Sequence, residues 1–104
     1  MPIASVDLVR IRERYQTWLA ENKPKFKFRP QQEAIVNSLA GAGPESIIDF
    51  DRTQANLRES RIPRPFIYRL LGELSQAGIL VKYPPNSNYV FRIDRSFFTE
   101  LGET

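Results

Sequence analysis

The sequence predicts a mainly α-helical chain closed by a small β-hairpin, an α+β class. Three observations predict it. Apolar residues recur at helical spacing over residues 8–19 and again over 67–74. Prolines and glycines punctuate these segments where helices start or stop: Pro24, Pro30, Pro63, Pro65 and Gly78. Two β-branched and aromatic runs, Ile79–Tyr83 and Tyr89–Ile93, flank the turn-forming segment Pro84-Pro-Asn-Ser-Asn88.

The elements follow in order. Ser5 or Asp7 can cap a first helix reaching about Asn22, with Leu8, Ile11, Tyr15, Trp18 and Leu19 as its apolar stripe. Pro24 ends it. That stripe suits either its own domain or a second copy of the chain. Lys23-Pro-Lys-Phe-Lys-Phe-Arg-Pro30 alternates basic residues with phenylalanine and proline, which predicts an extended connector. Phe26 and Phe28 would face inward and the cations outward. A second helix runs from Gln31 to about Ala40 and stops at Gly41-Ala-Gly-Pro44. Ser46-Ile-Ile-Asp-Phe50 reads as a short strand. Asp51 can cap a third helix to about Glu59, and Ser60-Arg61-Ile62 turns the chain. Pro63 and Pro65 open a fourth helix ending at Ala77, where Gly78 supplies the left-handed cap. Phe97 and Phe98 should fold back onto the core.

Helix, helix, strand, helix, helix, hairpin is the order of a winged helix-turn-helix with an extra N-terminal helix. The predicted organisation is a helix over 1–22 that could dimerise, a basic connector over 23–30, a winged-helix domain over 31–98 and a tail over 99–104.

Composition bounds the chemistry. The chain has 104 residues, no cysteine and no histidine. Disulfides, thiolate or imidazole metal sites and a Ser-His-Asp triad are therefore excluded. Gly41-Ala-Gly-Pro44 lacks the lysine and hydroxyl of a phosphate-binding loop. Asp49, Asp51, Asp94 and Glu100 read as caps and turn residues. The expectation is a non-enzyme without cofactor or metal. No apolar run reaches the roughly 18 residues of a membrane span and no signal peptide opens the chain, so a cytoplasmic location is expected.

The net charge is only +3, but it is unevenly spread. Lys23, Lys25, Lys27 and Arg29 lie together without an acid. Arg52, Arg58, Arg61, Arg64 and Arg69 face only Glu59. The rest of the chain is net acidic. Two basic patches on an acidic background suit an anionic partner. In the fourth helix, Ile67, Leu70, Leu71 and Leu74 form the core stripe, while Pro65, Tyr68, Arg69, Gly72, Ser75 and Gln76 take the opposite face. Arg61 and Arg64 sit at the helix start, where the helix dipole disfavours cations. Arginine can read guanine bidentately or grip phosphate.

Ile62-Pro-Arg-Pro-Phe-Ile-Tyr-Arg-Leu-Leu-Gly-Glu-Leu-Ser-Gln-Ala-Gly-Ile-Leu80 resembles the DNA-binding segment of winged-helix bacterial regulators of the isocitrate lyase regulator type. The resemblance spans about residues 46–93 and is specific over 57–80. It implies that Arg64, Pro65, Tyr68 and Arg69 face the groove. The chain departs from that pattern at Arg61, where the regulators usually carry glycine, and at Asn56-Leu57, where they carry an apolar pair.

The expected function is non-catalytic binding of double-stranded DNA, as a transcriptional regulator acting as a homodimer. The fourth helix would enter the major groove. The expected contacts are Arg61, Arg64, Pro65, Tyr68 and Arg69, supported by Arg52, Arg58, Lys23, Lys25, Lys27, Arg29 and Lys82. The hairpin tip has no cation, so the wing contributes little. The alternatives are a winged helix that binds a protein partner in a larger complex, and a DNA-binding part of replication or mobile-element machinery.

Overall fold

Asp7 starts the first helix, α1 (Leu8–Asn22), by accepting the Arg10 backbone N–H at 3.1 Å. The computed structural model describes residues 3–25, 27–57, 61–87 and 90–101. The expected contact residue Arg58 lies outside the described residues, as do Phe26, Ser60 and Tyr89. The helix ends as the Lys23 N–H reaches the Leu19 carbonyl at 2.7 Å, just before Pro24. Its stripe of Ile11, Tyr15, Trp18 and Leu19 is buried. Of the two destinations open to that stripe, the structure gives its own domain.

Helix α2 (Pro30–Asn37) opens on its proline and buries Ile35 and Val36. Arg12 and Glu33 join α1 to α2 through two parallel hydrogen bonds of 2.9 and 2.6 Å.

The next segment corrects the sequence reading. Ser46–Phe50 is no strand: Ile48 alone forms a bridge, to Phe91, with hydrogen bonds of 2.7 and 2.9 Å. Asp49, and not Asp51, caps α3 (Phe50–Asn56), accepting the Arg52 N–H at 2.9 Å. Two aspartates two residues apart are equivalent caps on paper. The extended backbone of Asp49 decides between them, because it makes Phe50 the first helical residue and turns its ring into the core. The helix closes at Asn56, earlier than expected, on the buried Leu57.

Helix α4 (Arg64–Gln76) buries Ile67, Leu70, Leu71 and Leu74 as predicted. Its exit is a two-bond cap around Gly78, whose φ is +82°. The Ile79 N–H reaches the Leu74 carbonyl at 3.0 Å and the Gly78 N–H reaches Ser75 at 3.1 Å. Arg14 of α1 donates to the Ala77 carbonyl at 2.9 Å, placing a cation at the negative end of α4.

The hairpin pairs two three-residue strands, shorter than expected. Leu80–Lys82 faces Phe91–Ile93 antiparallel, with Val81 opposite Arg92. Leu80, Phe91 and Ile93 turn inward. A second small sheet was not foreseen. Ile3–Val6 pairs antiparallel with Phe98–Leu101 across the whole chain, so part of the expected tail is a strand. In chain order the strands are β1 (Ile3–Val6), β2 (Leu80–Lys82), β3 (Phe91–Ile93) and β4 (Phe98–Leu101). A 3-10 turn, Arg95–Phe97, leads into β4 and buries Phe97. One apolar core joins all four described helices to the hairpin, giving a mainly α, α+β architecture. Among the described residues no helix is long and apolar enough to cross a membrane.

Candidate nucleic-acid interface

The exposed side of α4 is built by its own periodicity. Burying Ile67, Leu70, Leu71 and Leu74 leaves Arg64, Pro65, Phe66, Tyr68 and Arg69 outside. Its first turn contains no acid.

Arg61 precedes this helix with φ +50°, in the left-handed region that favours glycine. A residue with a side chain is disfavoured there, and glycine would take this conformation without strain. Arg61 is exposed, and ordering an arginine this way costs about 1 kcal/mol.

Arg64 and Tyr68 stand one turn apart over Phe50 of α3. The Tyr68 ring stacks on Phe50 at 4.7 Å between centroids, with 18° between planes. The Arg64 guanidinium carbon lies 4.7 Å from the centre of the same ring. The buried Phe50 therefore holds two exposed side chains of α4 in place. Sequence reasoning missed this role because it assigned Phe50 to a strand.

Arg69 meets Glu73 one turn on, with Nε 3.5 Å from Oε2. Glu73 is a second residue the sequence reading passed over. Its side chain is only 6% exposed. It accepts hydrogen bonds from the Tyr15 hydroxyl on α1 and from Lys23 Nζ, the latter at 2.8 Å. Burial works to raise its pKa. The Lys23 and Tyr15 hydrogen bonds and the charges of Lys23 and Arg69 outweigh burial, leaving Glu73 below the ordinary carboxylate value. Burial, the Glu73 hydrogen bond and the Glu73 charge together push the Tyr15 hydroxyl well above its usual pKa. An i,i+4 Arg69–Glu73 spacing was the available signal.

The connector lies beside α4. Lys23 is half-buried on Glu73, with its ammonium 5.9 Å from the Trp18 ring centre. Phe28 sets its ring edge-on to Tyr15 at 5.8 Å, so this half of the predicted alternation holds. Lys25, Lys27 and Arg29 are exposed. Arg29 shares a small cleft with Gln31, Gln32, Phe66 and Arg69.

Two expected contacts sit elsewhere. Arg52 is half-buried on α3, and its Nε has no hydrogen-bond partner. Lys82 lines a cavity of about 320 Å³ on the hairpin, with Glu45, Tyr83, Arg92 and Arg95. There Arg92 stacks 3.6 Å from the Tyr83 ring centre, and Arg92 and Arg95 both face Glu45, at 3.5 and 3.9 Å. The structure thus brings Arg61, Arg64, Pro65, Tyr68, Arg69, Lys23 and Arg29 to α4, leaves Lys25 and Lys27 exposed on the connector, and puts Lys82 in a different cavity.

Comparison with known protein families, with characterised proteins and with solved structures finds no match.

Proposed function

We propose that the chain is a winged-helix protein that binds double-stranded DNA without catalysing a reaction. The order α2, Ile48 bridge, α3, α4, hairpin supports the winged-helix reading, because Ile48 pairs with β3 as a third strand would. The observation that carries the DNA reading is the start of α4. Arg61 and Arg64 stand exposed at its positive end, with no acid in the first turn and with backbone strain at Arg61. Folding gains only the Arg64 contact with the Phe50 ring and bears strained backbone at Arg61, whereas a polyanion gains two cations at a helix start. Arg64, held on Phe50, and Arg69 reach base edges or phosphates in the major groove. Tyr68 and Phe66 pack on sugars or thymine methyls.

The role is transcriptional regulation by paired copies on one site, since one small module gives little specificity alone. The burial of the α1 stripe leaves that pairing to another surface. The exposed aromatics Phe66 (41%) and Tyr68 (40%) favour a protein partner as the second reading.

Fluorescence anisotropy with mixed-sequence duplexes at two salt concentrations tests this. Affinity should fall by roughly 0.9 log unit per contacted phosphate for each tenfold rise in salt. Arg64→Ala should weaken binding by about tenfold or more, at a stability cost under about 1 kcal/mol. Absence of duplex binding at low salt sinks the DNA reading and leaves the protein-partner reading.

A further inference from the structure

We infer that the connector over residues 23–29 is the second DNA contact of this chain, in place of the hairpin, and that Glu73 is its positioning residue. This rests on the DNA-binding reading of α4.

The connector meets α4 at both ends. At one end Lys23 and Arg69 share the Glu73 carboxylate. At the other, Arg29 lines the same cleft as Phe66 and Arg69. Between these points Phe28 is anchored on Tyr15, while Lys25 and Lys27 face solvent. Two exposed cations on a segment that meets a groove-binding helix at both ends fit the phosphate backbone flanking that groove. The hairpin fits it poorly. Pro84, Pro85, Asn86 and Ser87 carry no charge, Arg92 and Arg95 face Glu45, and Lys82 shares its cavity with Glu45 and Asp94.

Glu73 is an acid beside a surface meant for a polyanion. By charge alone its removal should tighten DNA binding. Its geometry requires the opposite. The carboxylate joins α1, the connector and α4, and without it Lys23 and Arg69 lose the group that holds them side by side. The sign of the effect therefore separates positioning from charge.

The full chain is titrated with a mixed-sequence duplex at several salt concentrations. Glu73→Gln should weaken binding by about tenfold, as expected when two long side chains lose their shared carboxylate. Tyr15→Phe removes one bond to Glu73 but keeps Lys23 and Arg69 on it, and should leave the affinity within about twofold. The double variant Lys25→Ala/Lys27→Ala should lower the salt slope by about 1.8, two phosphates' worth. Lys82→Ala and Arg92→Ala should leave it unchanged. Unchanged or tighter binding by Glu73→Gln overturns its positioning role. An unchanged slope in Lys25→Ala/Lys27→Ala overturns the connector contact, and those exposed sites remain a test even if Glu73→Gln fails to fold. If the unaltered chain binds no duplex, the reading of α4 has failed, which is a separate result.

Discussion

The exposed side of α4 and the outer side of the hairpin carry similar residues to different ends. Each presents arginines beside an exposed tyrosine. On the hairpin, Arg92 and Arg95 converge on the exposed Glu45, which offsets one of their two charges at the surface. On α4, the acid is Glu73, which is buried and shared with Tyr15 and Lys23, while Arg64 lies on an aromatic ring. The cationic excess is larger there. Where an acid is placed relative to solvent, more than how many arginines surround it, decides which face can hold a polyanion.

The largest test of that contrast treats the hairpin as structure. Phe91 bridges Ile48 and is buried. Phe91→Ala should cost about 3–5 kcal/mol of stability in chemical denaturation. Loss of duplex binding without loss of stability would break the division of roles.

The next test concerns the buried acid under α4. Tyr15→Phe should cost about 1–3 kcal/mol at neutral pH, because Glu73 loses a buried donor. The pH profile adds a sign. The folded-state pKa of Tyr15 is raised, so its contribution is complete below the unfolded value of about 10 and is lost as pH rises beyond it. Glu73 is lowered, so its contribution is complete above about 4.3 and is lost as pH falls through the folded value. Melting temperature should therefore drop above about pH 10 in the unaltered chain, and less in Tyr15→Phe. Equal alkaline slopes would mean that Tyr15 does not carry this effect.

The smallest effect is expected at Arg61. Arg61→Gly relieves the left-handed strain and should stabilise the fold by at most about 0.5 kcal/mol, net of the greater freedom of glycine when unfolded. The same variant should bind duplex less tightly. A gain in stability with unchanged binding would move Arg61 out of the interface.

Much of this organisation was legible in the sequence because it is local. Asp7 and Pro24 bracket α1, while Pro63, Pro65 and Gly78 bracket α4, and all five act within one turn of the chain. The α3 start was misread because Ile47, Ile48 and Phe50 have strand-like chemistry, and only tertiary packing puts Phe50 under Arg64 and Tyr68. The β1–β4 pair was missed because neither segment alternates strongly and each needs the other from the far end of the chain. At the candidate site, the outward arginines followed from helical spacing. Glu73 did not, because a carboxylate beside an apolar stripe looks exposed until Tyr15 and Lys23 arrive from other elements.

The β1–β4 pair has a consequence for how the molecule assembles. Val6 meets Phe98 and Ile3 meets Leu101, so this ladder closes a loop of nearly the whole chain. Its entropic cost falls only once the intervening core has already drawn the two ends together. The pair is then a late latch, reporting that α1 and the 3-10 turn have docked. Amide exchange along Ile3–Val6 should accordingly outpace that along α4.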